Sequence, residues 1–416
     1  MQPSVAHDRE RLNRELDRER LTRLLDRVRQ QPSDFRDAAA LATASGFGST
    51  RLNHLFRLHL HTTPAAFLRR ARVEAAQRTL LETDRPLMDA GYEAGFESGS
   101  GFYENFRRLT GLSPRAWRRL RRHPRFILGL PSDFLAEECL RYPGRDPVSP
   151  AEWVSGRSMR RAVRLDGKPV ILSVDLYHGH ALGAVEGSRA VSPAGMARAH
   201  RIVRRLLGLD LDPAPFTRKI GHDVRMASVV GRRPGLRIPL TVNVFEGLVW
   251  AIICEQTNLP LALQLRRRLI ERAGRPVDDL VAHPDPAAVA RLDYSDLMAL
   301  QFPSRKAEYL IDTCRMIARG ELAPEAFPEE PATVVEQRLL AVRGLSPWSA
   351  QYIMMRACGF ADCVPAGDPD LATALERLHD LDQRPGPDET SRLMEPYAPL
   401  RSLATYHLWR MLGDPA

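Results

Sequence analysis

VRGLSPWSAQYIMMRACGFADCVPAGDPD, residues 342–370, decides the fold. Gly344-Leu345-Ser346 is a short turn between two helical stretches, 332–342 and 347–358. Backbone N–H groups at such a turn, and at the start of the next helix, can grip one DNA phosphate without reading sequence. An ordinary corner between two helices has the same signature, so the turn alone does not separate the two readings. Trp348 and Tyr352 lie four residues apart and share a helix face, as core pairs usually do. Asp368 follows in PAGDPDLATAL. It reads as a helix N-cap with Pro369 at the first helical position, where the helix N-terminus favours an ionised carboxylate. Asp370 is the rival acid.

The chain around this stretch is mostly helical from residue 240 on, with further helical stretches at 243–255, 259–272, 304–319, 369–378 and 401–412. Residues 126–240 read differently. RRAVRLDGKPVILSVDL (160–176) and HALGAVEG (180–187) alternate as antiparallel strands do, and MARAHRIVRRLLGL (196–209) is an amphipathic helix. This is a small α+β unit with no visible catalytic constellation.

The first third carries the charge. Residues 1–125 hold 24 Arg against 15 Asp and Glu, while the remaining residues hold 36 of each sign, so the whole net charge of +9 lies there. Only Lys168, Lys219 and Lys306 are lysines. Arginine offers a planar fork for phosphate and guanine. GC-rich coding would also favour arginine, but it does not explain the asymmetry. The same third contains an internal repeat. GFGSTRLNHLFRLHLHTTPAAF (46–67) matches GFESGSGFYENFRRLTGLSPRAW (95–117) at Gly46/Gly95, Phe47/Phe96, Phe56/Phe106, Pro64/Pro114 and Phe67/Trp117. Each unit reads as a helix, a glycine turn, a second helix from Ser49 or Ser98, and a Thr/Ser-Pro stop. Residues 71–84 form the linking helix of this tandem helix-turn-helix.

The length of 416 residues predicts two to three domains, and 44% hydrophobic with 27% charged residues predicts a globular chain. No apolar run approaches the ~18 residues of a membrane span. The N-terminus is charged where a signal peptide is apolar, so a cytoplasmic location is expected. The five cysteines lack metal-ligand spacing and read as reduced buried thiols, which also argues against a four-cysteine iron–sulfur cluster.

The basic third resembles the DNA-binding domain of AraC-type regulators over residues 22–122, leaving 1–21 as a charged N-terminal arm. The resemblance implies recognition helices at 49–59 and 98–108, set in successive major-groove segments. Arg51, Asn53, His54 and Arg57 would be exposed on the first, and Ser100, Tyr103, Glu104 and Arg107 on the second. These positions also fit a plain solvated face. RRLRRHPR (118–125) reads equally as a phosphate-binding strip or a solvated linker.

Residues 126–416 resemble the helix–hairpin–helix–Gly/Pro–Asp DNA glycosylases, in the 3-methyladenine DNA glycosylase II (AlkA) branch. The resemblance rests on VRGLSPWSAQYIMMRACG with PAGD, and on RPGLRIPLTVNVFEGLVWAIICEQ (233–256), LQFPSRKAEYL (300–310), PLRSLATYHLW (399–409) and FILGLPSDFLAEECLRY (126–142). It implies an α+β domain over 126–240 and an all-α glycosylase domain over 241–416, within a multi-domain, mainly α chain. By the same resemblance Asp368 is the catalytic acid. Trp348, Tyr352, Trp409 and Phe134 line the base pocket, and Gln256 wedges into the DNA. Gly344, Leu345 and Ser346 hold a phosphate. The carbonyls of Leu340, Val342 and Gly344 would be ligands of a monovalent cation, and no other metal or cofactor is required.

The implied substrate is double-stranded DNA with alkylated purines, cationic bases that an aromatic cage attracts. Bifunctional relatives form a Schiff base with a lysine just after the hairpin. This chain has Trp348 there and no lysine after Lys306, so a monofunctional enzyme is expected. Ser346 stands where the family often has glycine, Pro260 follows the wedge, and Pro369 is not the usual residue after the catalytic position. Some fused relatives carry a cysteine-rich methyl-acceptor module, and residues 1–138 hold no cysteine. No membrane partner is implied. Two recognition helices in one chain remove the need for a dimer. The alternative reading is a transcription regulator whose glycosylase-like part only senses damaged bases. A third is that the AraC-like part adds only non-specific DNA affinity.

Overall fold

The computed structural model describes residues 5–187 and 191–413, with N-terminal side chains from Leu16 onward. The described chain divides between Arg121 and Arg122 into two compact units.

The first unit is helical throughout, with helices Val5–Gln30, Ala38–Ser45, Ser49–Leu60, Pro64–Glu82, Leu87–Glu93, Gly99–Thr110 and Pro114–Arg119. The charged arm expected over 1–21 is helical from Val5, and it continues unbroken to Gln30. The reason lies in Leu21, Leu24, Leu25 and Val28, which fall on one helical stripe. All four are buried in a core with Leu41, Leu52, Leu55, Phe56 and Leu68.

The sequence repeat is a structural repeat. Gly46 (φ 71°) and Gly95 (φ 95°) each take the left-handed conformation that ends the leading helix or turn. Thr63 and Ser113 each cap a helix that starts on proline, accepting from the N–H of Ala66 and Ala116. Phe56 meets Phe67 edge to face at 5.6 Å and 75°, and Phe106 meets Trp117 at 6.1 Å and 78°. One local solution is thus used twice, and the second helix of each copy is braced by an equivalent ring pair.

The second unit takes in Arg122–Glu329 and Thr333–Ala416. It opens with an antiparallel sheet of β1 (Arg125–Gly129), β2 (Glu152–Ser155), β3 (Ser158–Leu165), β4 (Lys168–Tyr177) and β5 (His180–Val185), in the order β1-β5-β4-β3-β2. Alternation in the sequence marked the three inner strands, and the short edge strands β1 and β2 join them only through pairing. Helix Pro193–Leu206 covers one face, where His200 meets Phe126 at 5.2 Å.

The remainder is mostly helical, with one exception. A small hairpin of β6 (Arg275–Val277) and β7 (Leu280–Ala282) packs Val277, Leu280 and Ala282 against Ala162 and Ile171 of the sheet. The stretch 347–358, read as one helix, is an α-helix over Pro347–Ile353 that widens into a π-helical turn over Met354–Cys358 and ends at Gly359 (φ 81°). A buried ionic network joins sheet to helices. Arg161 on β3 pairs with Glu152 on β2 (2.5 Å) and with Glu246 of helix Val244–Cys254, while Arg266 of helix Leu259–Ala273 pairs with Glu152 at 2.8 and 2.9 Å.

Candidate active site

Asp368 ends the turn after Gly367, whose φ of 90° only glycine takes readily. As expected, it caps helix Pro369–His379, and its Oδ1 accepts the Leu371 N–H at 2.8 Å. The structure adds two indoles to this cap. Trp409 donates Nε1–H to Asp368 Oδ1 and Trp348 donates Nε1–H to Asp368 Oδ2, each at 2.9 Å. Three N–H donors from three segments therefore fix the orientation of one buried carboxylate. Asp370 is exposed and makes no such contacts. Desolvation, and then the neighbouring Asp368 charge, push its carboxyl above the ordinary aspartate value.

The aromatic residues named from the sequence gather here, with one exception. Trp348 stacks on Tyr352 at 5.4 Å and 26°, and Tyr352 meets Trp409 at 6.3 Å and 40°. Phe134 is half-buried in the α+β part and lies 6.0 Å from the Arg237 guanidinium, without a ring contact to the other three among the described residues. Tyr142 takes a place that sequence reading did not assign. Its hydroxyl is 3.2 Å from that of Tyr352. The only cue was its position in the FILGLPSDFLAEECLRY segment.

The hairpin and the loop leading into Gln256 form one piece. Ser346 Oγ accepts the Ser349 N–H at 3.2 Å, capping helix Pro347–Ile353, and donates to Glu255 Oε2 at 2.9 Å. Ser349 Oγ donates to the same carboxylate oxygen. Lys306 Nζ donates to the carbonyls of Ile252 (2.9 Å), Ile253 (3.0 Å) and Glu255 (2.5 Å), so its three N–H bonds hold the loop that leads into Gln256. Gln256 is exposed with a φ of 51°. Pro260 falls in the first turn of helix Leu259–Ala273, which Asn258 caps, where proline costs no hydrogen bond. Gly344 has a φ of 92°, and the Val342 carbonyl accepts the Leu345 N–H at 3.2 Å. Among the described residues no group of three or more His, Cys, Asp or Glu side chains could hold a metal ion.

In the first unit Arg51, Asn53, His54, Arg57, Ser100, Tyr103, Glu104 and Arg107 are all exposed on their helices. Besides the Ser100 hydroxyl, 3.4 Å from that of Ser98, and the Tyr103 ring, 5.5 Å from that of Phe102, two are engaged within the protein. Arg51 pairs with Asp17 at 2.7 Å, and the Asn53 amide donates to the Ser49 carbonyl at 2.9 Å.

Comparison with known proteins assigns these parts. Residues 249–399 match the HhH-GPD superfamily of base excision DNA repair proteins, 128–243 match the AlkA N-terminal domain, and 41–120 match a helix-turn-helix domain. A Mycobacterium tuberculosis (strain ATCC 25618 / H37Rv) protein, "Probable bifunctional transcriptional activator/DNA repair enzyme AlkA", is 30% identical over 396 residues, covering 91% of this chain and 77% of the relative. The chain belongs to the AlkA family of DNA glycosylases fused to an AraC-type helix-turn-helix domain. Against YfjP of Bacillus subtilis (strain 168) it is 33% identical over 187 residues, 45% of this chain and 65% of the relative. The fold is that of the 3-methyladenine DNA glycosylase from Archaeoglobus fulgidus, at a TM-score of 0.61 and 20% identity over 68% of this chain and 97% of that one. Among the described residues no helix is long and apolar enough to cross a membrane.

Proposed function

We propose that the second unit excises alkylated purines of the 3-methyladenine and 7-methylguanine type from duplex DNA. The damaged nucleotide is flipped out, and its N-glycosidic bond is hydrolysed beside Asp368. The observation that carries this reading is the Asp368 carboxylate held by the indoles of Trp348 and Trp409, with Tyr352 ringed between them. An N-alkylated purine is cationic and a good leaving group. Each well-placed aromatic face attracts it by ~0.5–2 kcal/mol, and a damaged base costs less to unstack. As the bond breaks, positive charge moves to the sugar. A carboxylate fixed beforehand stabilises that charge and can take a proton from the attacking water.

Gln256, on a loop pinned by Lys306, fills the space left by the flipped base. The Gly344-Leu345-Ser346 turn grips a backbone phosphate, and the carbonyls of Leu340, Val342 and Gly344 form the site for a monovalent cation. Phe134 completes the pocket from the α+β part. The enzyme is monofunctional, because all three N–H bonds of Lys306 are spent on backbone carbonyls and no lysine follows it in the sequence. In the cytoplasm the first unit reads an operator through Arg51, Asn53, His54 and Arg57 and through Ser100, Tyr103 and Arg107, and it controls an alkylation-response promoter.

Release of free base from methylated duplex DNA tests the catalytic assignment. Asp368→Asn is expected to slow release by ~10²–10⁴-fold, the usual contribution of such a group. Asp370→Asn is expected to stay near wild type. Equal losses in the two variants would remove Asp368 from its role.

A further inference from the structure

Trp409 holds the Asp368 carboxylate from an insecure place. It lies in the last turn of helix Arg401–Met411, and the final turns of helices fray because their carbonyls lack partners within the helix. The start of this helix is fastened by Arg401, whose Nε and Nη2 donate to Asp362 at 2.7 and 2.8 Å. That anchor is roughly two turns away from Trp409, too far to fix how the last turn is rotated.

The last turn has its own fastening, on the residue next to the indole. Arg410 donates from Nε to Glu138 Oε2 at 2.7 Å and from Nη2 to Glu138 Oε1 at 3.4 Å. Glu138 Oε1 also accepts the Arg233 Nε–H at 2.8 Å. Glu138 stands on helix Ala136–Arg141 of the α+β part, and Arg233 follows helix Val224–Gly231. The side chains of Glu138, Arg233 and Arg410 are 18, 17 and 14% exposed, so water screens them far less than the open surface pairs that contribute little. Burial alone would raise the Glu138 carboxyl, but hydrogen bonds from Arg410 and then Arg233 outweigh it and hold it below the ordinary glutamate value.

We propose that Glu138 is a positioning residue of the active site: through Arg410 it sets the rotation of the last helical turn and so holds the Trp409 indole on Asp368. Consecutive residues on a helix point roughly 100° apart, so fixing Arg410 on one side fixes where Trp409 points on the other. The Trp409 Nε1–H bond to Asp368 Oδ1, at 2.9 Å, weakens steeply if the indole swings out of line. The consequence for rate rests on the reading of Asp368 as the catalytic acid. The α+β part, which shows no catalytic constellation of its own, acts on the site from outside it in this way.

The second arginine separates positioning from plain support. Arg233 and Arg410 share one carboxylate, but only Arg410 adjoins Trp409. A strut that merely stabilised the fold would suffer alike from the loss of either.

Hydrogen exchange at the indole nitrogens of the full chain reads the hold on Trp409 without reference to activity. Its signal is identified among those of the five tryptophans by its absence in Trp409→Phe. Exchange of this proton should speed ~10-fold or more in Arg410→Gln and in the nearly isosteric Glu138→Gln, and stay near wild type in Arg233→Gln. Unchanged exchange in Glu138→Gln, or equal acceleration in all three variants, overturns the proposal.

Single-turnover release of free base reads the consequence for rate. It should fall ~10–100-fold in Arg410→Gln and Glu138→Gln, the scale of loss from a small misplacement, while binding to DNA with a stable abasic analogue stays within ~2-fold of wild type. Weakened binding with an unchanged rate overturns the positioning role in catalysis. No base release by wild type would instead overturn the glycosylase reading and leave the exchange result standing.

Discussion

Gly344→Ala should damage the hairpin through two separable effects. The backbone there has a φ of 92°, which costs an L-residue ~1–2 kcal/mol. An added Cβ would also fall 2.2 Å from Tyr309 Cδ2, 2.3 Å from Cγ and 2.9 Å from Cβ. Because the near end of the tyrosine is involved, rotating the ring cannot clear the clash, and overpacking of this kind costs ~1–3 kcal/mol. The sum, ~2–5 kcal/mol, is a large part of the ~5–15 kcal/mol that holds a domain together. Urea unfolding measures it, and binding to DNA containing a stable abasic analogue measures the grip of the turn. A cycle with Tyr309→Ala separates the causes. That change removes the two ring contacts and leaves the 2.9 Å contact and the φ cost, so the double variant should recover ~1 kcal/mol or more relative to additivity. A loss below ~0.5 kcal/mol for Gly344→Ala would refute the geometry. Strict additivity would refute the clash.

The buried network should dominate acid sensitivity. Burial alone would raise the Glu152 carboxyl, but Arg161 and Arg266 outweigh it and hold it at about 2. Its stabilising contribution is therefore complete above the ordinary glutamate value of 4.5 and is lost as pH falls from there toward 2. Glu152→Gln should cost ~3–5 kcal/mol near neutrality, by leaving two buried guanidinium groups short of charge, and should flatten this part of the stability–pH curve. In the first unit Asp17→Asn should free Arg51, strengthen DNA binding and steepen its salt dependence by roughly one counterion, as measured by a salt series on the full chain.

Local patterns carried much of this architecture. The 46–67 and 95–117 repeat is visible because each copy uses the same glycine turn, the same Thr/Ser-Pro start and the same ring pair. The gathering of Trp348 and Tyr352 is legible because residues four apart share a helix face. Asp368 is legible as a cap because N-capping is a short-range hydrogen bond. The pairing of Tyr142 with Arg356 was not legible. Their stacking joins residues some two hundred positions apart, and an arginine within an apolar helix carries no mark of its partner. The same holds for Glu152, Arg161, Glu246 and Arg266, whose charges look like surface charges until the sheet and two helices close over them. The charged arm over 1–21 runs as part of one helix from Val5 to Gln30, whose buried apolar stripe begins at Leu21.

Charge distribution sets the division of labour between the units. Every excess positive charge lies in residues 1–125, and the remaining residues are electrically balanced. Attraction to DNA at a distance is therefore mainly a property of the first unit, which holds all of this excess but Arg122 and Arg125, since phosphate neutralisation by basic side chains supplies nearly all non-specific affinity. On the proposed reading the second unit holds DNA by short-range means: the hairpin's backbone groups, the Gln256 loop pinned by Lys306, and the aromatic pocket beside Asp368. Such contacts form only after close approach and add little to the rate of encounter. Covalent attachment to a basic unit raises the local concentration of DNA around the glycosylase, as any tether does. On the proposed reading a nearly balanced glycosylase can then discriminate by pocket chemistry, free of the strong phosphate binding that would hold it on undamaged sequence.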